Sequence, residues 1–80
     1  MDTKRLVIRR LLELCEAKSI SLNKLANLSG VTPSTIYSVL NHKRKDVGIV
    51  TLKKLCDGLD ISLFDFFEAK YFKDMEQEIK

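Results

Sequence analysis

Residues 21–41 read SLNKLANLSGVTPSTIYSVLN, and this stretch decides the architecture. Ser21 suits a helix N-cap, where its hydroxyl can take an otherwise unpaired backbone N–H. Leu22, Leu25 and Ala26 then supply one apolar helical face. Gly30 ends that helix, because glycine accepts the left-handed backbone common just past a helix end. Thr32-Pro33 starts the next: Thr32 caps it, and Pro33 fills the first helical position, where its missing N–H costs nothing. Ile36, Val39 and Leu40 form the inward stripe, and the helix is expected to end near Asn41. Two short helices joined by Gly-Val-Thr have the spacing of a helix-turn-helix. Ala26 must be small where the helices cross, and Val31 and Ile36 fix the pair to a core. The outer face of the second helix is left free.

Outward from this unit the chain remains helical. Ile8, Leu11, Leu12 and Cys15 fall on one stripe and predict a helix over 4–17, capped by Asp2 or Thr3. A basic loop, His42-Lys43-Arg44-Lys45-Asp46, runs on through Val47-Gly48. Thr51 is expected to begin a further helix carrying Leu52, Leu55, Cys56 and Leu59 on one face. Ser62 and Asp65 match a capping box with Asp in place of the usual Glu or Gln, so another helix starts there, turning Leu63, Phe66 and Phe67 inward. Phe72, Met75 and Ile79 continue a helical spacing towards the end. No segment alternates apolar and polar residues long enough to argue a strand. The expected fold is all-α.

Eighty residues make one domain, and a catalytic cleft walled by two layers is not expected at this size. No apolar run approaches the roughly 18–20 residues of a membrane span, and no signal-peptide pattern follows the early basic residues. A cytoplasmic protein is expected. Two cysteines are too few to frame a secreted scaffold, and Cys15 and Cys56 read as core thiols. One histidine and no close cysteine pair argue against a zinc site; His42 reads as a surface residue. No glycine-rich phosphate loop or metal-ligand cluster is present, so no cofactor, metal, small-molecule ligand or enzymatic activity is expected. The charge is uneven. Residues 1–48 hold nine Lys or Arg against four Asp or Glu, whereas residues 49–80 hold five against seven. A basic first part fits an anionic partner.

The stretch SLNKLANLSGVTPSTIYSVLNHKRK, continued by TLKKLCDGLDISLFDFF, resembles the lambda-repressor-like (Cro/C1, XRE) helix-turn-helix family. The resemblance covers nearly all of the chain except about the last dozen residues. It implies a compact five-helix DNA-binding domain over residues 1–69, with 70–80 as a helical extension. It also implies that the third helix enters the major groove of double-stranded DNA. Carried over by position, the base-reading residues are Thr32, Pro33, Ser34, Tyr37 and Ser38. The phosphate-binding residues are Ser21, Asn41, Lys43, Arg44 and Lys45. Relatives often carry Gln where Leu22 stands, and Gly where His42 stands, so that Asn41 is expected to take the helix-ending role. Some relatives join the first and third helices by an Arg–Glu pair, at positions held here by Cys15 and Leu40. The implied function is sequence-specific DNA binding by a small bacterial or phage transcriptional regulator. The alternative is a protein-interaction module, antitoxin-like or adaptor, on the same fold. A palindromic operator would call for a homodimer. Phe64, Phe72, Met75 and Ile79 either supply its surface or fold back on the first helix.

Overall fold

The carboxylate of Asp2 accepts a hydrogen bond from the Arg5 backbone N–H at 2.9 Å and so opens the first helix, α1 (Thr3–Ala17). The structure, a computed structural model, describes residues 2–44 and 46–79. Beyond α1 it contains α2 (Leu22–Ser29), α3 (Pro33–Val39), α4 (Ile49–Gly58), α5 (Leu63–Phe66) and α6 (Lys70–Lys73), and no strand among the described residues. The all-α expectation holds, with six helices in place of five.

The caps explain most of the boundaries. Ser21 accepts from the Lys24 N–H and Thr32 from the Thr35 N–H, with Pro33 at the first helical position. Ser62 and Asp65 form a reciprocal capping box at 3.0 and 3.3 Å. The start of α4 differs from the sequence reading. Gly48 precedes it with no side-chain cap, Ile49 is its first residue, and Thr51 lies inside its first turn. Nor does Asn41 end α3 in a left-handed conformation. Leu40 caps that helix with a right-handed backbone, and Asn41 instead accepts the Lys43 N–H on its side chain.

One core joins these helices. It comprises Val7, Leu11 and Cys15 of α1, Leu25 and Ala26 of α2, Ile36 and Val39 of α3, Leu52, Leu55 and Cys56 of α4, and also Leu59 and Phe66. α2 packs against both α3 and α4. The inward stripe of α1 passes through Val7, Ile8, Leu11 and Cys15; Leu12, one step further round, is 45% exposed. Leu22 and Leu40 rest on the core, which accounts for the apolar side chains at both positions. Cys15 lies in the same cluster, so apolar packing stands where an ion pair would otherwise need both partners to be worth keeping.

The last third of the chain departs furthest from expectation. α5 stops at Phe66, and Phe67 is exposed at its edge. At this end Arg10 of α1 donates to the carbonyl oxygens of Phe66 (2.6 Å) and Asp65 (2.8 Å), and the Asp65 carbonyl also accepts the Glu68 N–H at 3.2 Å. Arg10 thus supplies partners to carbonyls that a helix end leaves short of intrahelical donors. After the brief α6 the chain runs on without helix and returns to α1. There Glu78 accepts from both the N–H (3.1 Å) and the hydroxyl (2.6 Å) of Thr3. The Phe72–Met75–Ile79 spacing therefore does not make a helical stripe. Phe72 packs on the core, Met75 is half-buried and Ile79 is 85% exposed.

Candidate nucleic-acid interface

The free face of α3 is built from its first turn. The Thr32 hydroxyl is committed to its own helix: it accepts from the Thr35 N–H at 3.3 Å and lies 2.9 Å from Ser34 Oγ and 3.0 Å from Thr35 Oγ1. Pro33 and Ser34 are exposed beside it, Tyr37 is 55% exposed, and Ser38 is half-exposed. Ile36 and Val39 point the opposite way, into the core. This division follows from the helical period, which places residues three and four apart on one side.

The loop after α3 is a built turn. Asn41 accepts from the Lys43 N–H through its side chain (3.0 Å) and from the Arg44 N–H through its carbonyl (3.1 Å). The turn leaves Lys43 and Arg44 exposed. Lys45 lies outside the described residues. A groove of about 390 Å³ runs between α3 and the start of α4, lined by Ser34, Ser38 and Arg44 together with Thr35, Asp46 and Thr51. Two of the expected base readers and one expected phosphate anchor thus share one concave surface. Tyr37 is not among the residues lining this groove, and Ser21 is exposed at the start of α2. His42 is exposed, whereas Cys15 and Cys56 are free, buried thiols whose pKa values burial pushes up.

Sequence reasoning missed three residues here. Thr35 and Thr51 add hydroxyls to the groove, and Asp46 adds a carboxylate that disfavours a phosphate at its own position. It also missed Lys4, only 5% exposed, whose ammonium donates to the carbonyls of Arg44 (3.1 Å) and Asp46 (3.2 Å). A signal was available: Lys4 precedes Val7, Ile8 and Leu11 at helical spacing, so the lysine occupies an inward position. The basic count of the first 48 residues overstates the charge free to meet an anion, since Lys4 and Arg10 both serve backbone carbonyls.

Residues 10–71 match the family model of the Cro/C1-type HTH DNA-binding domain. The chain belongs to that family. Its α2 and α3 are accordingly the helix-turn-helix of a Cro/C1-type domain, and the groove lies on the exposed side of its second helix. The match extends through α5 into α6. A solved structure, that of prophage Lp1 protein 11, is similar over 92% of this chain and 97% of its own, with a TM-score of 0.82 and 28% sequence identity. The SPbeta prophage-derived uncharacterized HTH-type transcriptional regulator YopS of Bacillus subtilis (strain 168) is 29% identical over 58 residues, or 72% of this chain and 78% of that protein. Among the described residues no helix of this Cro/C1-type chain is long and apolar enough to cross a membrane.

Proposed function

We propose that the chain is a small cytoplasmic transcriptional regulator that binds double-stranded DNA with α3 in the major groove and acts by binding rather than by catalysis. Ser34 and Ser38 face base edges from the groove. Tyr37 reaches a thymine methyl or a phosphate from the rim, and Thr32 and Pro33 set the approach of the helix start. Ser21, Asn41, Lys43, Arg44 and Lys45 hold the backbone on either side, where they release counterions but carry no sequence information. The observation that carries the reading is the shared groove: hydroxyls of α3 and the guanidinium-bearing loop border one surface. The similarity to a prophage-derived regulator supports the regulatory part.

One short recognition helix touches about half a site, and so small an interface seldom combines tight with selective binding. A homodimer on a palindromic operator doubles the contacts. Selection of bound sequences from a random duplex pool tests the whole reading. A defined site with two-fold symmetry is expected, and a Ser38→Ala variant should shift preference at one or two base pairs by about 1–3 kcal/mol. Recovery of no preferred sequence, or of an identical site by Ser34→Ala and Ser38→Ala, would remove α3 as the reading element. It would favour the protein-interaction alternative, for which the 75% exposed Phe64 offers a contact.

A further inference from the structure

Lys4 is the structure's least expected charged residue. Lysine is almost never this buried without partners, and here both partners are backbone carbonyls, those of Arg44 and Asp46, some forty residues away in sequence. Both belong to the segment that joins α3 to α4, and both residues border the groove described above. We infer that Lys4 is a positioning residue for DNA binding: it does not touch DNA but holds the α3–α4 loop in the shape that presents Arg44 to a phosphate.

The physical case has three parts. First, a loop with few apolar anchors needs fixed backbone contacts to be ordered. Among the described residues of this stretch Val47 alone packs against the core, and the turn at Asn41 fixes the loop's start. The ammonium provides two charge-assisted hydrogen bonds at the loop's middle. Second, a carbonyl oxygen repels phosphate. Drawing the Arg44 and Asp46 carbonyls onto Lys4 occupies two acceptors beside the side chain that has to meet the anion. Third, Lys4 sits on the inner side of α1, a fifteen-residue helix fixed along its length by Val7, Leu11 and Cys15. The loop is thereby referenced to the longest helix of the fold, and an ordered Arg44 loses less side-chain and backbone freedom on binding.

This inference rests on the proposed DNA reading, so the experiment separates the two. Lys4→Met keeps the length of the stem and removes the donors. In the free protein, the amide exchange of residues 43–48 is expected to rise at least tenfold above the rise in global opening, and loop order parameters to fall. Duplex affinity is expected to drop about tenfold in the wild-type background and less than twofold in an Arg44→Ala background, because the effect runs through Arg44. Loop amides as ordered in Lys4→Met as in wild type would overturn the positioning role whatever the DNA result. So would an equal loss of affinity in both backgrounds, the mark of a direct phosphate contact. If the loop loosens but Arg44→Ala binds duplexes as well as wild type, Lys4 orders the loop without serving DNA binding, which overturns the inference and the phosphate role of Arg44 together. Lys4→Gln, whose shorter amide cannot span both carbonyls, replaces Lys4→Met if that variant does not fold. It is held to the same loop measurement.

Discussion

Gly58 of α4 lies so close to Ser29 of α2 that a Cβ placed on it would stand 2.1 Å from the Ser29 Oγ and 3.0 Å from the Ser29 backbone nitrogen. The Ser29 hydroxyl is itself buried, without a hydrogen-bond partner among the described residues. The contact sets how tightly the first helix of the helix-turn-helix seats on α4. Gly58→Ala is therefore expected to destabilise the fold by about 1–3 kcal/mol through overpacking, despite alanine's better helix propensity. Ser29→Ala removes an unpaired buried hydroxyl and should be neutral or stabilising. It also removes the nearest clash but not the backbone one, so Gly58→Ala should cost less, though still something, in that background. A double-mutant cycle by urea unfolding measures this coupling. A Gly58→Ala variant as stable as wild type would refute the close approach.

Three helix ends share one geometry. Ser19, Gly30 and Asp60 have φ of 55°, 69° and 58°. In each case the next residue, Ile20, Val31 or Ile61, donates its N–H back to a helical carbonyl at 3.0–3.1 Å and packs on the core. Only the middle one is glycine. A left-handed conformation costs a side-chain-bearing residue roughly 1–2 kcal/mol, part of which glycine's larger unfolded-state entropy offsets. Ser19→Gly is expected to stabilise the domain by about 0.5–1 kcal/mol, which raises Tm by a few degrees in a domain this small. Calorimetry checks it, and an unchanged or lower Tm counts against the geometry.

The elements most legible in the sequence are those whose ends are written in side chains. Ser21, Thr32-Pro33 and the Ser62–Asp65 pair each cap a helix where their chemistry says they should. α4 begins ahead of Thr51 because its cap, Gly48, offers no side-chain signal. The tail misled for a different reason. The Phe72–Met75–Ile79 spacing is helical, but of the three Phe72 alone lies in a helix: α6 ends at Lys73, and the chain beyond it is held to α1 by Glu78 and Thr3, seventy-five positions apart. The inward position of Lys4 is legible from its spacing to Val7, Ile8 and Leu11, but its partners are not: they are backbone carbonyls, which carry no sequence signature. The outward face of α3 was legible because its inward stripe, Ile36 and Val39, fixes it. The groove's far wall, Asp46 and Thr51, depends on how α4 is placed against α3, which local pattern does not encode.

The return of the tail onto α1 has a pH signature. Tyr71 donates its hydroxyl hydrogen bond to Glu13 at 2.5 Å, and the Arg9 guanidinium lies 4.3 Å from the centre of the Tyr71 ring. The Tyr71 hydrogen bond holds the Glu13 carboxyl below its ordinary range, with Arg9 adding to the effect and burial opposing it. Burial first, then the same bond, pushes the Tyr71 phenol up to about 12. The Glu13 contribution is thus present above its unfolded pKa and is lost as pH falls through the lowered folded value. The Tyr71 contribution is present below roughly pH 10, the ordinary phenol value, and is lost as pH rises towards the raised one. Tyr71→Phe should be less stable than wild type at neutral pH, with the difference shrinking at both the acid and the alkaline end. A difference that stays constant across the range would dissociate the bond from stability.

The loop cations make a separate prediction through salt. Lys43 and Arg44 are exposed on the turn that Asn41 builds. Each that neutralises one phosphate contributes about 0.9 to the slope of log K against log salt concentration. Lys43→Ala and Arg44→Ala should each weaken binding to all duplexes alike and lower the slope by that amount, with the preferred sequence unchanged. A variant that alters the preferred site instead would move that residue from the phosphates to the bases.

Assembly is the remaining question, and the fold narrows it. Of the four apolar residues considered for a dimer surface, Phe72 is spent on the core and Met75 is half-buried against α1, where it lines a shallow pocket with Leu6, Arg9 and Tyr71. Phe64 and Ile79 remain, 75% and 85% exposed, and of these Phe64 borders an apolar hollow with Leu63 and Phe67 that carries Glu68 and Lys73 on its rim. An acid and a base on one rim suit self-association about a two-fold axis, where each can meet its opposite on the second copy. Phe64→Ser removes the exposed ring without touching α3 or the loop. It should shift the protein towards monomer at micromolar concentration and lower affinity for a palindromic duplex at least tenfold, while leaving affinity for a single half-site within about twofold. Sedimentation of both proteins, free and on each duplex, reads all of these. A wild-type chain that stays monomeric free and on the palindrome would discard the homodimer and leave one domain per site.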